Sequence, residues 1–328
     1  MTDILDNPTF SLQGVPRSTA RSIVSIDDLS DTDLFDLVAR GVEFGAGALS
    51  RALTGKVTGV YFAKPSTRTR TAFSAGALRL GSGLIAYGAT DLQTTTGETD
   101  EDTGRVLAGM LDTLVMRTAA DDSVMRTFAA PGGMSVINAM SAQEHPTQAL
   151  CDLSTMLEHF TRLDGLRVLY VGEGNNTASA LTLALMRCAG TSLELRTPEG
   201  YGLPADFHRR ARVSADRSGA QFRERHDMHE LPTDIDVIYT TRWQTTGSSK
   251  HTTDWRRTFE PFQVGTQLLA AHPNAVFLHD LPAHRGEEVA GAVLDGPASL
   301  AFRQAHMKMY SAMAVLEWCA GGPPSGLS

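Results

Sequence analysis

The chain has 328 residues, 42% apolar and 20% charged, enough to bury a core in each of two ordinary domains. Its net charge of −8, with both signs spread along the chain, argues against nucleic acid or an anionic membrane as a general partner, though not against a small anion in a locally positive cleft. No apolar run approaches a membrane span, and the start Met1-Thr2-Asp3-Ile4-Leu5-Asp6 has no basic region followed by an apolar core, so a cytoplasmic protein is expected.

Short apolar runs alternate with helical stretches, the pattern of an α/β protein with parallel sheets. In the first half, strands are predicted at 57–62, 84–87, 113–117 and 134–139, with helices at 69–80, 99–111 and 123–130 between them. Residues 147–160 carry apolar side chains at helical spacing and join this set to a second one, and the domain boundary is placed near them. The second set has strands at 167–171, 192–196, 237–240 and 275–278, with helices at 177–189 and 204–218. A last helix is predicted over about 300–319, and the Gly- and Pro-rich run 321–326 reads as a frayed end. Cys151, Cys188 and Cys319 are far apart and odd in number, which fits free buried thiols rather than a disulfide framework. No pair has zinc-site spacing, and His226 and His229 read as surface residues in a charged stretch.

The sharpest chemical signal is Lys64-Pro65-Ser66-Thr67-Arg68-Thr69-Arg70, which follows a predicted strand and opens a predicted helix. The first turn of a helix offers unpaired N–H groups and a positive dipole end. With the hydroxyls of Ser66, Thr67 and Thr69 and the guanidinium of Arg68, it makes a nest for a phosphate dianion. The plainer alternative is a capped helix with solvated arginines. A second glycine-bearing turn, Val171-Gly172-Glu173-Gly174-Asn175-Asn176, lacks the third glycine of G-x-G-x-x-G because position 177 is Thr177, which counts against a dinucleotide site.

The phosphate run resembles the S-T-R-T-R motif of the aspartate and ornithine carbamoyltransferase family, and four further segments match that family in order. Gln93 through Arg105 resembles its S-x-Q…G-E-S/T…D-T-x-R loop and helix. Asp112 to Arg117 resembles the strand that ends in a carbamoyl-phosphate arginine. His145-Pro146-Thr147-Gln148 is the family's H-P-T-Q, and His279-Asp280-Leu281-Pro282-Ala283-His284-Arg285-Gly286-Glu287-Glu288 resembles the ornithine branch's H-C-L-P-A-H-R-G-E-E.

The resemblance implies two domains, each with a parallel sheet flanked by helices. Residues 1–148 would bind carbamoyl phosphate, 149–299 an amino acceptor, and 300–328 would return to the first domain. It implies that Ser66, Thr67, Arg68 and Thr69 hold the phosphate, that Arg117 bridges phosphate and carbonyl oxygen, that His145 donates to that oxygen, and that Gln148 takes the carbamoyl amide. Such residue types suit the reaction, since preplaced donors stabilise the oxyanion that forms when an amine attacks the carbonyl. Asn176 would touch the acceptor's α-carboxylate, and Leu281 would line its pocket. The family's active sites lie between subunits of a trimer, so a homotrimer is expected. Gln93 sits where a neighbour's loop reaches into the phosphate site, and Thr96 falls near where the aspartate branch has a lysine. No metal or organic cofactor is implied.

Three departures concern the acceptor. The ornithine branch's D-x-W-x-S-M-G is here Thr241-Arg242-Trp243-Gln244-Thr245-Thr246-Gly247, so the carboxylate that pairs with ornithine's α-ammonium has become Thr241, and Ser-Met has become Thr245-Thr246. Losing the counter-ion of a desolvated ammonium costs on the order of 2–5 kcal/mol. Asp280 replaces the family's cysteine beside the reacting amine. Either it takes over the ammonium of a shorter diamino acid such as 2,3-diaminopropionate, or it acts as general base, or it turns outward. Lys308, in Gln304-Ala305-His306-Met307-Lys308, stands where the branch has a carbamoyl-binding arginine and lacks the planar fork. The expectation is therefore carbamoyl transfer to a small non-ornithine diamino acid. Ornithine itself, a putrescine-type diamine, and a non-catalytic metabolite-binding homologue are the alternatives.

Overall fold

The structure is a computed structural model and describes residues 20–245, 250 and 253–322. In chain order the first half contains α1 (Asp31–Gly45), β1 (Val57–Phe62), α2 (Thr67–Arg79), β2 (Gly83–Tyr87), α3 (Asp100–Ala108), β3 (Thr113–Arg117), α4 (Ser123–Ala129) and β4 (Ser135–Asn138). The helix α5 (Pro146–Phe160) crosses to β5 (Arg167–Val171), α6 (Asn176–Leu185), β6 (Ser192–Arg196), α7 (Ala205–Ser218), β7 (Gln221–Arg225) and β8 (Val237–Thr240). The short α8 (Trp255–Phe259) and α9 (Thr266–Ala271), β9 (Val276–His279), α10 (Gly291–Leu294) and the long α11 (Ala301–Cys319) complete it.

The strands form two sheets, one of four strands in the order β2-β1-β3-β4 and one of five in the order β7-β6-β5-β8-β9. Every pairing between these strands is parallel. Strands β3, β4, β8 and β9 are buried along their whole length, as expected of parallel strands covered on both faces. The edge strand β7 reads Gln-Phe-Arg-Glu-Arg and is only half-buried, which is why its pattern carries no strand signal in the sequence. Helix α1 was also absent from the predicted elements. Ser30 caps it by accepting from the Asp33 N–H, and Leu34, Leu37, Val38, Gly41 and Phe44 form its buried stripe.

Helix α11 runs back over the first half and packs on α1, α2 and α5, so the C-terminal helix belongs to the core of the chain's beginning. Helix α5 is buried from Pro146 to Met156, because helices of both halves enclose it. The three cysteines are free and buried. No helix among the described residues is long and apolar enough to cross a membrane.

In each sheet the chain order reverses between two neighbouring strands, β1 and β3 in the first and β5 and β8 in the second. Crevices at the carboxyl ends of such strand pairs are where open α/β sheets bind ligands. Pairing places Phe62 beside Arg117, Val171 beside Thr240, and Thr240 beside His279, so the phosphate run, Arg117, the Gly172–Asn176 turn, Thr241 and Asp280 all leave their sheets at these ends.

A buried polar joint ties the two halves just before α5. The Glu144 carboxylate accepts from the Ile26 N–H at 2.6 Å and from the Ser25 hydroxyl at 2.7 Å. Arg210 of α7 lies 3.5 Å from it and pairs with Asp27, which also takes Arg187. Burial pushes Glu144 up to about 7, against the pull of those donors and of Arg210, with Asp27 adding to the rise. A carboxyl whose folded pKa is raised favours folding fully below its unfolded value and loses that contribution as pH rises through the folded value. Between about pH 4.5 and 7 the loss amounts to roughly 3 kcal/mol. Thermal melts should show wild type falling in Tm across that window more steeply than Glu144→Gln. Parallel pH profiles would refute this.

Candidate active site

The carboxyl ends of both sheets open on one cleft of about 370 Å³. Ser66, Thr67, Arg68 and Thr69 line it at the start of α2, where Ser66 is the N-cap residue but makes no side-chain cap bond. Its hydroxyl and the helix's first turn therefore stay available to an anion. Arg117 enters from the end of β3. It is buried, its guanidinium donates from Nη1 to the Ala139 carbonyl at 3.4 Å, and its Nε has no partner among the described residues. Burial pulls Arg117 down to about 10, with Arg68 adding to the drop and Asp280 opposing it, so the group stays cationic at neutral pH. Burial lowers Arg68 as well.

His145 is the N-cap residue of α5 and is buried against the cleft. Burial, then the cations Lys308 and Arg117, hold it well below the usual imidazole range, so it is neutral. Its Nδ1 lies 3.4 Å from the Thr147 hydroxyl. With that hydroxyl donating to Nδ1, the ring proton sits on Nε2 and faces the cleft as a donor. One turn on, Gln148 donates from Nε2 to Asp152 at 2.7 Å and accepts on Oε1 from the Lys308 ammonium. Lys308 comes from α11, is buried, and has its pKa lowered by desolvation.

The other wall comes from the second sheet. Asn175 caps α6 by accepting from the N–H groups of Thr177 and Ala178, and donates from Nδ2 to Thr241 and Thr245, each at 3.0 Å. Gly174 has to be glycine, because a Cβ there would lie 2.3 Å from the Leu203 nitrogen. Asn176 lines the cleft while donating to the Ser141 carbonyl at 2.7 Å. The Thr241 hydroxyl is turned toward Tyr170, 3.2 Å away, and Asn175. Thr245 donates to Glu173, which pairs with Lys250 packed over the Tyr201 ring, and this anchors the loop that follows Thr241. Asp280 faces inward and accepts from the Thr177 hydroxyl at 3.0 Å, which sets aside the outward-turned reading. Leu281 lines the cleft, and its N–H donates to His279.

Most of the residues expected at the site thus meet in one cavity. Gln93 does not: it lies on an exposed 3₁₀ turn with its side chain accepting from the Thr96 hydroxyl, outside this chain's own cleft. The resemblance assigns it to a neighbouring subunit's site. Thr246 lies outside the described residues. Sequence reasoning passed over Arg242 and Gln244, which also line the cleft. Arg242 has a buried Nε with no hydrogen-bond partner among the described residues. Its signal lies in the altered Thr241–Thr245 stretch, where the sequence reading weighs the lost acid and the change to Thr245-Thr246 but not the arginine between them. Among the described lining residues Arg68, Arg117, Arg242 and Lys308 are cationic and Asp280 alone is acidic. No group of three or more His, Cys, Asp or Glu side chains gathers as a metal site among the described residues.

Comparison with known proteins agrees with this geometry. Residues 21–158 match the carbamoyl-P binding domain of aspartate/ornithine carbamoyltransferase, and residues 164–319 match its Asp/Orn binding domain. The chain is 40% identical to an ornithine carbamoyltransferase of Thermococcus kodakarensis over 277 residues, covering 84% of this chain and 87% of that one. It is 36% identical to that of Gloeobacter violaceus over 301 residues, covering 92% and 96%. The solved structure of ornithine carbamoyltransferase from Pyrococcus furiosus superposes with a TM-score of 0.87 at 35% identity, covering 93% of this chain and 98% of that one. Matched across both halves and carrying the motifs in one cleft, the chain belongs to the aspartate/ornithine carbamoyltransferase family, on its ornithine branch.

Proposed function

We propose that this carbamoyltransferase takes its carbamoyl group from carbamoyl phosphate and passes it to the side-chain amine of a small amino acid, with ornithine as the acceptor that the relatives favour. The observation that carries the reading is the meeting of Arg68, Arg117, His145, Gln148 and Lys308 in one cleft with Asn176 and Asp280 on its far wall. The hydroxyls and N–H groups at the start of α2, with Arg68, hold the phosphate. Arg117 and the neutral His145 donate to the carbonyl oxygen. A neutral amine forms a bond to the carbonyl carbon, the C–O bond to phosphate breaks, and the amine's surplus proton goes to a base, for which Asp280 is the carboxylate within the cleft.

A second acceptor, a shorter diamino acid such as 2,3-diaminopropionate, is favoured by the distribution of charge. Thr241 leaves ornithine's α-ammonium without a counter-ion at the far wall, and the cleft's acid has moved to Asp280. The two amines of the shorter acid lie close enough together for one to meet Asp280 while the other reacts. Arg242, whose buried Nε has no partner among the described residues, suits an acceptor that keeps its carboxylate, which disfavours a plain diamine.

Arg68→Ala should lower acceptor-dependent phosphate release from carbamoyl phosphate by roughly 100-fold or more. Wild-type turnover in that variant would reject the phosphate assignment, and no release with any amine in wild type would favour a binding protein. Asp280→Cys combined with Thr241→Asp should raise kcat/KM for ornithine relative to 2,3-diaminopropionate by about 10-fold or more. An unmoved ratio would show that these two positions do not choose the acceptor.

A further inference from the structure

Beneath the cleft lies a buried acid to which the reaction as described gives no part. Asp152 sits one turn below Gln148 on α5 and is completely buried. Its Oδ1 accepts from Gln148 Nε2 at 2.7 Å and from Gln304 Nε2 at 2.6 Å, and its Oδ2 accepts from the Tyr239 hydroxyl at 3.0 Å. Gln304 in turn accepts on Oε1 from the N–H of His279, the residue before Asp280.

A glutamine amide has two ends of nearly equal shape, one donating and one accepting, and its neighbours alone decide which end points where. Gln148 is constrained at both ends. Lys308 can only donate, so it must meet Oε1. Asp152 draws the NH2 group away from Lys308 with an oxygen that accepts from both glutamines. Burial pushes Asp152 up to about 7, yet a proton on Oδ2 would leave Oδ1 as the shared acceptor. The carbonyl oxygen of Gln148 is thereby left on the cleft side with one lone pair beyond that used by Lys308. An oxygen in that position favours a donor substrate bearing N–H over one of the same shape bearing methyl.

We propose that Asp152 is a positioning residue that makes the site select carbamoyl over acetyl phosphates, by holding the amide of Gln148 with its oxygen toward the cleft. This rests on the carbamoyl-phosphate reading above. It places donor selectivity in a residue that touches no substrate, with Gln304 linking the same acid to the strand end that carries Asp280.

The test is binding of carbamoyl phosphate, acetyl phosphate and inorganic phosphate, measured by calorimetry on the full chain. Wild type should prefer carbamoyl to acetyl phosphate by about 10-fold or more, because an acceptor placed for N–H is left unpaired by methyl. Asp152→Leu should bring that ratio near one while inorganic phosphate binds within about 2-fold of wild type, since the phosphate nest is elsewhere. Asp152→Asn should restore the preference, its carbonyl oxygen replacing Oδ1. Where the leucine variant does not fold, Asp152→Ser, too short to hold both amides, should lose the preference in its place. A preference kept by Asp152→Leu or Asp152→Ser, lost in Asp152→Asn, or absent in wild type would overturn the proposal. Failure of wild type to bind carbamoyl phosphate at all would instead overturn the functional reading beneath it.

Discussion

Cations gathered in a partly dry cleft repel one another and lose hydration, and everything about this site follows from that cost. Arg68, Arg117 and Lys308 all have their pKa lowered by burial, and Arg117 keeps a buried Nε with no partner among the described residues. A dianion entering the cleft meets groups that have already lost part of their hydration, so its attraction to them is larger than in water. Burial, with the cations Lys308 and Arg117 adding to it, holds His145 neutral, so the ring adds no further charge to the cleft. Asp280, the single described acid of the lining, is tied to Thr177 and faces those cations.

Holding such groups at fixed distance requires a stiff frame, and the frame is two parallel sheets with α5 between them. Each sheet delivers its strand ends at a reversal of strand order, so side chains distant in sequence leave the backbone side by side. Helix α5 contributes His145 and Gln148 on its cleft side and Asp152 behind them. Helix α11 contributes Lys308 and Gln304 to the same layer while packing on α1, α2 and α5. One polar layer thus joins Gln148 at the cleft to the strand end that bears Asp280. Buried networks of this kind hold their members in one arrangement only when every donor and acceptor is matched, and the amides of Gln148 and Gln304 are matched at both ends.

The wall formed by the second sheet is held by side-chain bonds around Thr241. Among the described residues after Thr241, Thr245 bonds to Asn175 and Glu173 and Lys250 pairs with Glu173, in the stretch whose sequence departs from the ornithine pattern. Loops positioned by a rigid scaffold are where specificity changes with least damage to the fold. The relatives share the scaffold and are named for ornithine, while in this chain the neutral Thr241, the cationic Arg242 and the anionic Asp280 line that side of the cleft.

The order of most elements could be read from the chain, because period-2 and period-3.6 patterns are local properties of sequence, and most of the residues that the motifs singled out line one cleft. Helix α1 and the edge strand β7 could not. One of them begins in a polar, acid-rich turn, and the other carries three successive charged residues and becomes a strand through its backbone ladder with β6. Sequence also fixed which residue types stand at 152, 242 and 304 without showing that they matter. Whether an aspartate is solvated or buried under two amides, or an arginine free or facing a cleft, depends on neighbours brought together by strand order and helix packing. Local composition determined what chemistry the chain carries. Only the tertiary contacts decided which charges meet, because electrostatic strength depends on distance and on the exclusion of water, and neither is written along the chain.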